Sequence, residues 1–158
     1  MKSAVLPQLP QWCRSYPYAL VGTSVRHSLI GTPLHSRPEL LVQATFESLH
    51  SAGVDIGHLG DKPNSFISED WLIECVDRDI AAHLADRGIA VDAIGILPDQ
   101  TVLDPLNGRE QLSSLVLSVC PNDMIKRPLI GLQTIALASE SKAEISPETL
   151  GLIKENVH

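Results

Sequence analysis

Aromatic residues are few: two Trp, two Tyr and two Phe in 158 positions, so a core must be packed mainly from Leu, Ile, Val and Ala. Cysteine is scarcer still. Cys13, Cys75 and Cys120 are odd in number and far apart, which argues against a disulfide framework and against paired-cysteine zinc spacing. No His-Glu-x-x-His pair and no calcium-loop pattern occurs, so no metal is expected from the sequence. No apolar run approaches the roughly 20 residues that span a bilayer, and Met1-Lys-Ser-Ala-Val-Leu-Pro7 lacks the apolar centre of a signal peptide. The expectation is a soluble, cytoplasmic protein with reduced thiols.

One further absence is local. Residues 1 to 38 carry Lys2, Arg14, Arg26 and Arg37 and no acid, whereas residues 39 to 158 carry eight cations against nineteen acids, and the total is −7. Such segregation predicts that the basic stretch faces the acidic body, an acidic partner or an anionic ligand. An acidic total gives no basic footprint for nucleic acid, which is expected not to be a partner.

What is present suits one domain. Hydrophobic residues make up 44% and charged residues 20%, globular values for a chain long enough to bury a core. Residues 1 to 17 hold Pro7, Pro10 and Pro17 around Trp12 and Tyr16, which predicts an extended arm preceding a single domain over 18 to 158. Trp12 either pins this arm to the body or docks it on another chain.

Tyr18 to Val25 reads as a short buried strand that ends at Gly22-Thr-Ser24. Ser36-Arg-Pro-Glu39 has the form of a helix start with a capping serine, and Leu41, Val42, Thr45, Phe46, Leu49 and Ala52 continue at helical spacing. Gly53 can close that helix in the left-handed conformation before Val54-Asp-Ile56 resumes as strand. Ser68 opens a second expected helix through Trp71, Leu72, Cys75, Val76, Ile80 and Leu84 to Gly88, and Ile89 to Leu97 reads as an interior strand. The sum is βαβαβ, an α/β sandwich around a mainly parallel sheet. Pro105-Leu-Asn-Gly108 suits the turn of an added antiparallel hairpin between Thr101 to Asp104 and Arg109 to Cys120, with Leu115 to Val119 open to a helical reading. Carboxyl-terminal helices are expected over Leu129 to Ala143 and from Ser146-Pro-Glu148 onward.

In such a sheet, ligands gather at the loops leaving the strand carboxyl ends. If the strands at 18 to 25 and 54 to 56 are parallel neighbours, the loops 23 to 36 and 57 to 64 meet. The candidates are His27, His58 and Asp61 for proton transfer and its orientation, with Thr23, Ser24, Arg26, Thr32, His35 and Lys62 for an anion. Ile145-Ser-Pro-Glu-Thr-Leu-Gly-Leu-Ile153 resembles the second helix of a helix-turn-helix, which would imply DNA binding. The leading expectation is a non-catalytic binding or assembly subunit, oligomeric or bound to a protein partner, that engages an acidic partner or anionic ligand through its arm and the 22 to 36 loop. The alternatives are a small enzyme acting on a phosphorylated, acyl or carboxylate metabolite, and a helix-turn-helix protein. The sequence does not say which cofactor, if any, takes part.

Overall fold

The computed structural model describes residues 6–31, 34, 36–57, 60, 63–127 and 129–156. In chain order the strands are β1 (Tyr18–Val21), β2 (Glu39–Gln43), β3 (Ser65–Ser68), β4 (Trp71–Val76), β5 (Gly95–Ile96), β6 (Val102–Leu103), β7 (Val116–Leu117) and β8 (Glu144–Ile145). The helices are α1 (Gly22–Ile30), α2 (Phe46–Ser51), α3 (Ile80–Ala85), α4 (Gly108–Ser114), α5 (Pro121–Lys126), α6 (Leu129–Ser141) and α7 (Pro147–Asn156), with 3-10 turns at Gln11–Ser15 and Ala90–Asp92. Six strands form one sheet in the order β3-β4-β2-β1-β5-β6, and β7 pairs with β8 apart from it.

The expectation of a mainly parallel sheet is corrected. In the large sheet only β2 and β4 run parallel, while β1 pairs antiparallel with both β2 and β5. The protein is mixed α/β, but its sheet is mainly antiparallel. The error begins at residues 36 to 52, where one helix was expected. Leu40, Leu41 and Val42 are all fully buried because β2 lies mid-sheet with both faces covered. A strand so placed is apolar at every position and loses the alternation that would identify it. The capping box exists, but nine residues later: the Thr45 hydroxyl accepts from the Ser48 amide, and the Ser48 hydroxyl accepts from the Thr45 amide. It opens a helix of only six residues. Gly53, at φ +77°, does follow the helix end as expected, whereas Val54 to Ile56 form no strand.

The expected helix from Ser68 to Gly88 is instead a β3–β4 hairpin followed by the short α3. The hairpin turns at Glu69 and Asp70, with Glu69 left-handed at φ 53°. Along β4, Trp71, Ile73 and Cys75 join Leu40, Val42, Leu49 and Phe66 in one apolar cluster, while Val76 joins Leu41, Ile80 and Leu84 in another. Apolar residues on both sides of a strand imitate a wide helical stripe. Residues 23 to 30, expected as loop, are α1, tied to β2 where the Ser24 hydroxyl accepts from the Glu39 amide and donates to its carbonyl. The interior strand expected over 89 to 97 survives only as β5. The hairpin expected around Pro105 to Gly108 is replaced by α4, because the Asp104 carboxylate accepts from the Gly108 and Arg109 amides at its start. The reversal lies earlier, at Leu97 to Thr101 between β5 and β6. The carboxyl-terminal helices α6 and α7 stand where expected, and Ser146 accepts from the Thr149 amide as the capping serine. Among the described residues no helix is long and apolar enough to cross a membrane.

Candidate functional site

An open cleft of about 1070 Å³ lies between the end of β4 with α3, the helix α1, and α6. Its charged wall starts at Glu74, which alternates with Ile73 and Cys75 and so leaves the apolar cluster for the α3 side. The Arg87 guanidinium donates to Glu74 Oε2 at 2.7 Å and to the Asp92 carbonyl at 2.8 Å. His83 Nε2 lies 3.0 Å from Glu74 Oε1, and its Nδ1 lies 3.5 Å from Arg78. Since a carboxylate only accepts, Nε2 is the donor to Glu74. Arg78 donates to Asp86 at 2.6 Å, and that hydrogen bond, with the guanidinium charge behind it, holds the Asp86 carboxyl below its ordinary range. Arg26, buried in α1, donates to Asp92 at 2.8 Å and faces Glu140 of α6 at 3.7 Å. The opposite wall is helical, with apolar Leu129, Ile130, Ala136 and Leu137 beside Gln133 and Glu140 of α6, while Phe46 and exposed Arg127 also line the space.

Three of the four cleft arginines therefore hold carboxylates. Among the described residues no three His, Cys, Asp or Glu side chains come together as a metal-binding group, and no buried polar side-chain atom lacks a hydrogen-bond partner.

Of the residues proposed from sequence that are described, only Arg26 lines this cleft. Thr23, Ser24, Arg26 and His27 all lie on α1 rather than on a loop. The Thr23 hydroxyl donates to the Arg37 carbonyl at 3.4 Å, and Ser24 is consumed in the tie to β2. Thr32, His35, His58, Asp61 and Lys62 fall outside the described residues. The premise that joined the two loops, parallel strands at 18 to 25 and 54 to 56, does not hold, since Val54 to Ile56 are not a strand. Glu74, Arg78, His83, Asp86, Arg87 and Asp92 were missed. The available signal was Glu74 itself, the one charge inside the run from Trp71 to Val76.

No protein-family model matches the chain. Over 160 residues the chain is 26% identical to a CCA-adding enzyme of Coxiella burnetii, an alignment covering 87% of this chain and 42% of that protein. Over 159 residues it is 24% identical to the multifunctional CCA protein of Chromobacterium violaceum, covering 87% and 39%. The chain thus spans less than half the length of the curated relatives it matches. A solved CCA-adding enzyme in complex with ATP superposes with TM-score 0.69 at 18% identity, over 91% of this chain and 38% of that one. A tRNA nucleotidyltransferase complexed with a primer tRNA and an incoming ATP analogue superposes with TM-score 0.65 at 19% identity, over 91% and 47%.

These likenesses correct the functional expectations. Proteins similar across most of the chain are named as CCA-adding enzymes and, among solved structures, as a tRNA nucleotidyltransferase, which overturns the non-catalytic assembly subunit and the small-metabolite enzyme alike. The helix-turn-helix reading falls on geometry as well: α7 is preceded by β8, and its Thr149 and Ile153 are buried in the core. The expectation that nucleic acid is no partner is also overturned, since a neighbour of this fold is solved with tRNA. A net charge is a sum over the chain and says nothing of where the arginines converge. The fold these comparisons establish is that of the solved CCA-adding enzymes.

Proposed function

We propose that this chain is a domain of the tRNA nucleotidyltransferase type, whose cleft takes a nucleoside triphosphate and the end of a tRNA. The observation that carries the reading is the cleft's composition: Arg26, Arg78, Arg87 and Arg127 share it with six carboxylates and with the apolar residues of α6. Guanidinium groups suit phosphate oxygens and an apolar wall suits a base or ribose. Sequence and structural likeness to CCA-adding enzymes over nearly all of the chain supports the same assignment. Because Arg26, Arg78 and Arg87 already hold Asp92, Asp86 and Glu74, a polyphosphate enters by exchange of partners, which makes its affinity sensitive to salt.

Nucleotidyl transfer generally runs on divalent cations held by carboxylates. The described carboxylates do not fit that requirement, because no three potential ligands converge and Glu74, Asp86 and Asp92 each face a guanidinium. The three free cysteines support a reducing compartment, the cytoplasm.

The test is calorimetric titration of the full chain with CTP, ATP and a tRNA lacking its terminal nucleotides, alongside incorporation of labelled nucleotide into that tRNA. Binding of nucleotide and tRNA is expected, weakened about tenfold or more in Arg127→Ala, the loss typical of one charge-assisted contact. Absence of any binding at low salt would remove the reading.

A further inference from the structure

Four of the chain's six aromatic side chains are joined in one ladder that reaches the cleft wall. Tyr16 meets Trp12 edge-on at 6.3 Å, Trp12 stacks on Phe66 at 5.9 Å and 25°, and Phe66 meets Phe46 edge-on at 5.8 Å and 84°. The inner members are fixed. Phe66 is fully buried, and the Trp12 indole donates to the Ser68 hydroxyl at 3.3 Å. Phe46 is the first residue of α2, and the reciprocal Thr45 and Ser48 hydrogen bonds close the turn that contains it. It is only half-buried and lines the cleft, the sole Phe, Tyr or Trp to do so among the described residues.

Phe66 is sealed inside the apolar cluster, whereas Phe46 packs at its rim. Phe46 leaves part of itself against a space that also holds four guanidinium groups among six carboxylates. Phosphates and bases are recognised by these two chemistries together, charge for the backbone and an aromatic face for the base. We infer that Phe46 is the stacking platform for an unpaired nucleobase in this cleft. Stacking tolerates any base because every base has a π-face, so Phe46 sets position and leaves base identity to other groups. The inference rests on the nucleotide and tRNA reading above and adds to it the residue that receives the base.

The test compares the wild type, Phe46→Leu and Phe46→Tyr in calorimetric titrations with CTP, inorganic tripolyphosphate and a short single-stranded oligoribonucleotide. Leucine retains most of the apolar volume, and thermal unfolding followed by circular dichroism checks that the variant folds. Phe46→Leu is expected to weaken CTP, the oligoribonucleotide or both by about tenfold or more, the range for stacking one base, and to leave tripolyphosphate unchanged, with Phe46→Tyr close to wild type. Loss confined to CTP assigns the base to the incoming nucleotide, and loss confined to the oligoribonucleotide assigns it to the RNA end; either supports the inference. Equal loss for tripolyphosphate, or undiminished nucleotide and RNA affinity, overturns it while leaving the broader reading intact. A wild type that binds none of the probes overturns both.

Discussion

The strand β4 presents two chemistries on its two faces. One face, with Trp71, Ile73 and Cys75, is sealed by α2, by Leu40 and Val42 and by the amino-terminal segment, whose Gln8 carbonyl accepts from the Trp71 indole at 3.0 Å. The other face carries Glu74, which gathers Arg87 and His83 at the edge of the open cleft. The sealed face holds the sheet together by excluding water from a large apolar area. The ionic face is partly wet, and desolvation offsets much of its Coulomb attraction. The pleat of one strand thus carries apolar residues into the core and turns Glu74 toward the charged wall of the cleft.

The largest effect that would test this contrast is on the sealed side. Trp71→Ala deletes a fully buried ring and is expected to destabilise by about 3–5 kcal/mol, measured by urea unfolding, as large-to-small changes in cores do. On the ionic side, Glu74→Ala leaves Arg87 and His83 without their shared acceptor and is expected to cost about 1–3 kcal/mol. Glu74→Leu combined with Arg87→Met should recover much of that loss, since replacing both partners removes the uncompensated charge. A cost for Glu74→Ala equal to that of Trp71→Ala would break the comparison.

The thiols sharpen it further. Burial, the largest cause, raises Cys13 and Cys75 from 9.0 to about 12, whereas Cys120 is exposed. In a chromogenic thiol assay near pH 8, one thiol per native chain should react quickly and three after denaturation. Because these two pKa values are higher in the folded state, their contribution to stability is complete below about pH 9 and is lost as pH rises toward 12. Alkaline unfolding should therefore ease in wild type relative to Cys75→Ala, compared at equal starting stability.

The smallest effect lies away from both faces. Leu115 adopts φ 55° and is largely exposed, a backbone state that a leucine reaches only with strain. Leu115→Gly is expected to raise stability by about 0.5–1 kcal/mol in the same urea experiment.

How legible these features were depended on how local their cause is. The helices α6 and α7 were readable because Ser146 caps the chain three residues on and Pro147 starts the turn. The strands β2 and β4 were not, since Leu40-Leu-Val42 and Trp71-Leu-Ile73 carry no period once both faces are covered. The site suffered the same way. Arg26 was legible as a cation in an acid-free stretch, but its partners Asp92 and Glu140 lie far along the chain, and no spacing rule links them. The missed acids and arginines looked like the polar side of a helix that does not form.

By itself the sequence determined that this chain buries a core of aliphatic residues, leaves its thiols without disulfide partners, and forms two late helices, the second capped by Ser146, because composition and short-range hydrogen bonds act within a few residues. Tertiary structure decided which apolar runs become strands, in which direction they pair, and that Glu74, Arg87, Asp92 and Arg26 meet at one cleft. Those outcomes depend on which surfaces cover each other, and coverage is a property of the assembled sheet rather than of any window along the chain.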